Sequence, residues 1–246
     1  MAERSLQSAP SSERSIALPI LTYHRIDSLD ESGLTDVRRR RTVSPADFAA
    51  QMGWLHRHGF RAITHLQALE ALELGILLPP KPILLTFDDG YRDVLEHAAP
   101  VLARLRMPAT AYVITGLISG PDPSFLTWKD LLALERQGID IGSHTVTHRD
   151  LTLLSDTEAS AELRRSRRDL ERHLGHAVPW FAYPHGAEDA RIVRLVRRAG
   201  YELAVTTQSG RIQKSSARLR LRRVEVHTAC GVAGLASLTA PAARRR

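Results

Sequence analysis

Short apolar runs alternate with amphipathic stretches along almost the whole chain, and proline, glycine and small polar residues separate them. Residues 16–23, 83–87, 109–114, 139–142, 180–183, 201–206 and 219–226 read as strands, with a shorter one over 61–64. Between them, apolar residues recur at helical spacing. Ser44-Pro45-Ala46-Asp47 starts one helix with a capping serine, a proline in the first turn and an acid. Phe48, Met52 and Leu55 mark its buried stripe, and Gly59 ends it. Further helices are predicted over 66–74, 93–105, 127–137, 155–174 and 190–199; Ser155 and Glu158 form a capping box at the start of the 155–174 helix. Residues 24–41 read as a polar loop, 1–15 as a disordered lead-in and 231–246 as a basic, small-residue tail that frays. Regular alternation of strand and helix predicts an α/β fold in one domain, 16–230, whose parallel sheet is open or rolled into a barrel.

In such folds chemistry collects at the carboxyl ends of the strands. His24, Asp88-Asp89, His144 with His148, and Tyr183-Pro184-His185 all fall at those ends. Two adjacent carboxylates at a strand end repel each other, and a cation or a proton-transfer role offsets that cost. Period-two alternation aims the pair in different directions, so that Asp89 can bind a metal while Asp88 faces a reacting water. The other use of Asp88-Asp89-Gly90 is a simple turn. His144 and His148, four apart, suit one ion from one side of a helical turn; in a chain with 11 histidines they also fit an ordinary surface loop. Taken together, two imidazoles and the Asp89 carboxylate make a ligand set with open positions, the catalytic arrangement for a divalent ion. Zinc is the first expectation, then cobalt, nickel or manganese.

These residues carry a resemblance. Thr86-Phe87-Asp88-Asp89-Gly90, Ser143-His144-Thr145-Val146-Thr147-His148 and Phe181-Ala182-Tyr183-Pro184-His185-Gly186 resemble, in order and spacing, the first three motifs of the NodB-homology polysaccharide deacetylases, over about residues 16–227. The resemblance implies a distorted (β/α) barrel and metal-dependent hydrolysis of an N-acetyl group on an N-acetylhexosamine-containing saccharide or glycoconjugate. It also implies Asp88 as base, Asp89, His144 and His148 as metal ligands, and a backbone N–H at His185, within Tyr183-Pro184-His185, for the oxyanion. Relatives of this fold that hydrolyse a non-sugar amide or imide provide the alternative. The sequence departs from the family at three points. Ala182 stands where an arginine usually orients the base, leaving Arg222 or Arg223 of the last strand to do so. His185 replaces a tyrosine, and the late motifs are not recognisable. Leu21-Thr22-Tyr23-His24-Arg25-Ile26 instead resembles the circularly permuted poly-N-acetylglucosamine deacetylase branch, which implies His24 as general acid; His227 is the alternative.

Composition adds little to this picture. Net charge is +7, and the arginines are interspersed with acids along the helices, which reads as a solvated surface, with Arg38–Arg41 in the loop. No nucleic-acid signature is present, and one cysteine, Cys230, excludes an intrachain disulfide. Residues 1–15 lack the apolar core of a signal peptide, and no stretch has the ~18 uninterrupted apolar residues of a membrane span. The expectation is a cytoplasmic protein, with peripheral membrane association if the saccharide is lipid-linked. Trp128, after a loop of glycine and prolines, is a candidate platform for a sugar ring, and Trp54 a core residue.

Overall fold

The expected strands close on themselves. In the computed structural model, which describes residues 13–28 and 35–239, the chain runs β1 (Ser15–Ala17), β2 (Ile20–Tyr23), β3 (Arg25–Ile26), α1 (Asp36–Arg40), β4 (Thr42–Val43), α2 (Pro45–Arg57), β5 (Arg61–Ala62), α3 (His65–Leu74) and β6 (Pro82–Phe87). It continues through α4 (Ala99–Leu105), β7 (Ala109–Val113), α5 (Trp128–Arg136), β8 (Ile139–Ser143), α6 (Asp156–Leu174) and β9 (Trp180–Ala182). Then come α7 (Ala190–Arg198), β10 (Leu203–Ser209), β11 (Ile212–Lys214), β12 (Leu221–Glu225) and α8 (Val232–Thr239). Seven parallel strands follow the order β2-β12-β10-β9-β8-β7-β6, and β6 pairs back onto β2 to close the (β/α) barrel. β2 is the first barrel strand and β12 the last, and closure places the two side by side.

Alternation along each strand sorts the side chains into an inner and an outer set. Ile20, Leu84, Tyr112, Trp180, Leu203, Val205 and Leu221 fill the barrel. Ala68 and Leu72 of α3 join that cluster, so α3 plugs the amino end of the barrel and leaves the carboxyl end for chemistry. On the outside, Leu21, Leu85, Ala111 and Ile141 pack against α2, α4, α5 and α8, and Phe181, Tyr183 and Ala204 pack against α6 and α7. Gly142 has a packing reason: a Cβ there would lie 2.5 Å from Cδ1 of Tyr112, which occupies that space inside the barrel.

Local chemistry explains where the structure differs from expectation. The run 16–23 breaks into β1 and β2 because Pro19 offers no N–H; β1 turns away to pair with β11, a short strand that periodicity misses. The helix expected over 93–105 begins as a π turn, Val94–Ala98, in which the Ala99 N–H bonds to Val94 O; Pro100 then opens α4. The loop expected over 24–41 includes β3 and α1, and β3 pairs with β4. Residues 232–239, expected to fray, form α8, which buries Leu235 in the outer core. Most of the lead-in and residues 240–246 lie outside the described residues. Trp54 packs against the outer core as expected. Trp128 is no rim platform, because its indole lies flat on His173, centroids 3.8 Å apart.

From the plug, His65 reaches into the barrel. Its Nδ1 is 2.7 Å from Thr110 Oγ1, its Nε2 is 2.7 Å from the Tyr112 hydroxyl, and its ring stacks on Trp180. Complete burial first, then the charge of Arg223, lowers its pKa to about 3. The ordinary, unfolded value is 6.5. Below that value the unfolded chain takes up a proton that the fold refuses, so His65 lowers stability as pH falls from 6.5 towards 3. Denaturant unfolding of His65→Phe against pH should therefore have a slope smaller by up to about 1.4 kcal/mol per pH unit in that window; an unchanged slope would contradict a neutral, buried His65.

Candidate active site

Four strand ends build the site. Asp88 follows β6, with its N–H bonded to Tyr23 O at 2.9 Å, and its carboxylate turns into the mouth of the barrel. There the guanidinium of Arg223 on β12 grips it with two bonds, Nη1 to Oδ1 at 2.8 Å and Nη2 to Oδ2 at 2.6 Å. Nε of Arg223 donates to Thr206 O at 2.8 Å, Nη1 also reaches Thr86 Oγ1 at 3.2 Å, and the Tyr112 ring lies 6.0 Å from the guanidinium. Burial alone would raise the Asp88 pKa, but the Arg223 charge and its hydrogen bonds outweigh it and hold the carboxyl well below the usual range. Asp88 is thus an ionised, oriented carboxylate.

Asp89 takes a left-handed turn (φ 75°), which aims its carboxylate away from Asp88. Its Oδ1 lies 3.6 Å from Nε2 of His144 and 3.6 Å from Nε2 of His148. Both distances are too long for hydrogen bonds. They are close to the roughly 3.3–3.4 Å between ligands of a tetrahedral zinc ion with bonds near 2.0–2.1 Å. The tautomer also fits an ion, because His144 Nδ1 is 2.8 Å from Ala182 O and so carries the proton, which leaves Nε2 as a lone-pair donor. Burial lowers the pKa of both imidazoles to about 4, and burial raises that of Asp89. Among the described residues, Asp89, His144 and His148 are the group whose donor atoms come within 4.8 Å of one another. The loop that carries the histidines is braced by Glu162 of α6, whose carboxylate accepts from the N–H groups of Val146 and Thr147 at 2.8 and 2.9 Å.

His24, at the end of β2, lines the same hollow as Asp89. Its buried Nδ1 has no hydrogen-bond partner among the described residues, and burial lowers its pKa to about 4 against the pull of the nearby Asp88 charge. His227, the alternative acid, is exposed and lines a hollow beside Glu225 that does not include His24 or Asp89. Arg222 does not reach the base. It is the neighbour of Arg223 on a strand, so it faces the other way and is exposed, near Gly210. Tyr183 is also excluded from the pocket. On β9, Trp180 and Ala182 point inward, so Tyr183 points outward, packs on Phe181 and donates to Leu219 O at 2.7 Å. Pro184 is buried behind it. His185 is left-handed (φ 58°) and its ring lies 4.6 Å from that of His148, next to the triad.

The sequence gives no sign of the supporting roles of four groups, Glu162, Asp93, Arg25 and Tyr91. Glu162 lies in mid-helix far from the motifs, and only the tertiary fold brings it to the histidine loop. Asp93 accepts from Ile26 N at 3.0 Å and pairs with Arg25 at 3.1 Å; Arg25 also lies 5.4 Å from the Tyr91 ring. Both Arg25 and Tyr91 line the hollow.

The polysaccharide deacetylase family description matches residues 77–204. YxkH of Bacillus subtilis is 30% identical over 214 residues, 87% of this chain and 73% of the relative. The poly-beta-1,6-N-acetyl-D-glucosamine N-deacetylase of Staphylococcus epidermidis is 25% identical over 84% of this chain and 78% of its own length. Among solved structures, the Streptococcus pyogenes deacetylase PplD in complex with acetate superposes with a TM-score of 0.85 at 28% identity, over 93% of this chain and 100% of that one. IcaB from Ammonifex degensii gives 0.79 at 28% identity, over 91% and 97%. Both permuted-branch likeness and barrel agree with the reading of the motifs.

Chelator-stripped protein should take up one divalent ion per chain, zinc among them, as measured by metal analysis after dialysis. Asp89→Ala and His148→Ala should each weaken uptake by more than about a hundredfold. Full retention in either variant would contradict the ligand set.

Proposed function

The chain belongs to the polysaccharide deacetylase family, and from this we propose that it is a metal-dependent hydrolase of N-acetyl groups on an N-acetylhexosamine-containing saccharide or glycoconjugate. One observation carries the proposal: an Arg223-clamped carboxylate, Asp88, stands next in the chain to Asp89, which converges with two imidazoles as a metal-donor group and lines a hollow together with His24. A divalent ion held by Asp89, His144 and His148 supplies a Lewis acid, which makes water more acidic and a carbonyl more electrophilic.

The chain's own groups divide the remaining work. Asp88 accepts the proton of the water that attacks the acetamide carbon. Its low pKa makes it a modest base, and the Arg223 fork compensates by fixing its direction and keeping it ionised. His24 serves the leaving nitrogen. It rests uncharged, so the proton that Asp88 takes from water passes to it, which returns Asp88 to its ionised state, and His24 delivers that proton to the nitrogen as the C–N bond breaks. The His185 N–H, next to the triad, donates to the developing oxyanion. The products are acetate and a free amine.

Acetate release from N-acetylglucosamine oligomers should fall about 10²–10⁴-fold in Asp88→Asn while metal uptake is retained; undiminished turnover would remove Asp88 from the mechanism. His24→Ala should lower turnover with metal uptake intact, and loss of the metal would contradict its role as acid. Turnover of small cyclic or linear amides, with none of the acetylated oligomers, would overturn the saccharide reading.

A further inference from the structure

Three imidazoles form a row at the mouth of the barrel. The rings of His144 and His148, two of the metal donors, have centroids 4.7 Å apart and cross at 65°. His148 and His185 repeat that arrangement almost unchanged, at 4.6 Å and 64°. Exposure rises along the row: the His144 side chain is 3% exposed and that of His148 24%, whereas His185 is an exposed residue. The third donor, Asp89, is 14% exposed at its side chain. Asp89 and His144 are thus nearly closed to water, and the row leads from them to the surface.

His185 is held in this place by its own turn. The Gly186 N–H bonds to Tyr183 O at 2.9 Å, and Thr207 of β10 donates its hydroxyl to His185 O at 3.2 Å. A Cβ on Gly186 would stand 2.0 Å from Thr207 Oγ1, so the turn is seated closely on β10. The backbone N–H of His185 has a use in the proposed chemistry, but its imidazole has none. The family usually has tyrosine here, whose phenol, with an ordinary pKa of about 10, stays protonated at neutral pH and is a poor donor to zinc. An imidazole is a good one. A hydrated ion exchanges its waters for protein ligands in steps, and a site with two nearly closed donors needs an entry path.

We propose that His185 and His148 form an entry site, which captures a divalent ion at the surface and passes it to the buried donors. His148 keeps its bond to the ion throughout. The bond to His185 breaks as those to Asp89 and His144 form, and the displaced waters leave to solvent. This rests on the metal-donor reading of Asp89, His144 and His148 and is independent of the substrate. Stopped-flow mixing of the chelator-stripped chain with zinc and a chromogenic indicator measures uptake. Mixing the zinc-loaded chain with chelator, at concentrations where the rate has levelled off, measures release. A group that touches the ion only in passing lowers the barrier from both sides. His185→Asn should therefore slow uptake and release by the same factor, about tenfold, and leave the equilibrium affinity unchanged, which also shows that the site is folded. His185→Tyr, carrying the residue usual in the family, should behave in the same way. Unchanged rates in both variants overturn the entry site and leave the triad standing. Faster release with unchanged uptake would make His185 a resident ligand and overturn it as well. A parent chain that takes up no zinc removes the triad and the entry site together.

Discussion

The ion pair between Asp88 and Arg223 is the constraint to which the rest of the site is fitted. Both side chains are almost entirely buried, and two charges taken out of water cost several kcal/mol each unless geometry and further hydrogen bonds compensate. Here the fork is bidentate, and Thr206 O and Thr86 Oγ1 take further donors of the guanidinium. Removing one partner would strand the other, at a cost of about 3–5 kcal/mol. The pair exists only because the barrel closes, which brings the last strand, β12, to the mouth one strand beyond β2, the neighbour of β6. The Tyr112 ring beside the guanidinium depends in turn on Gly142, which has no side chain to displace it.

Two consecutive aspartates acquire different tasks from this arrangement. Asp88 remains in line with its strand and meets a fixed cation; Asp89 leaves the strand in a left-handed conformation and meets two imidazoles. Thr145, His148 and His185 also have positive φ, at 68°, 59° and 58°. Non-glycine residues adopt that conformation at a cost, and here they gather around one group of donors. Neighbouring structure holds them there. Glu162 ties down the Val146-Thr147 backbone, Thr145 Oγ1 accepts from His148 N at 3.0 Å, and Ala182 O orients His144. Ala182 therefore contributes through its carbonyl where the family usually has an arginine side chain, and Arg223 supplies the guanidinium from two strands away.

Strand ends were the most legible feature of the sequence, because buried parallel strands read as short apolar runs and polar residues mark where each one stops. That reading located His24, Asp88, Asp89, His144, His148 and His185 at one end of the barrel. Alternation, applied one step further, separates Arg223 from Arg222 and sends Tyr183 outward, but it needs a strand of known register to anchor it. β3, β4 and β11 have two or three residues each, too few to form a periodic pattern. The arginines before β4 read as a solvated run, and Arg39 and Arg40 are exposed, but nothing local indicates that Thr228 ties their carbonyls to the segment after β12. Such pairings across nearly two hundred residues are a property of the closed barrel rather than of any segment.

The account stands on one cation shared by three side chains, with the Arg223-held carboxylate beside it and not bound to it. Anomalous X-ray scattering from crystals grown with zinc tests this directly. A single peak is expected about 2.0–2.2 Å from Asp89 Oδ1, His144 Nε2 and His148 Nε2, with Asp88 still forked to Arg223. A peak on any other set of ligands, or one that draws Asp88 off Arg223 and into the coordination sphere, would contradict it.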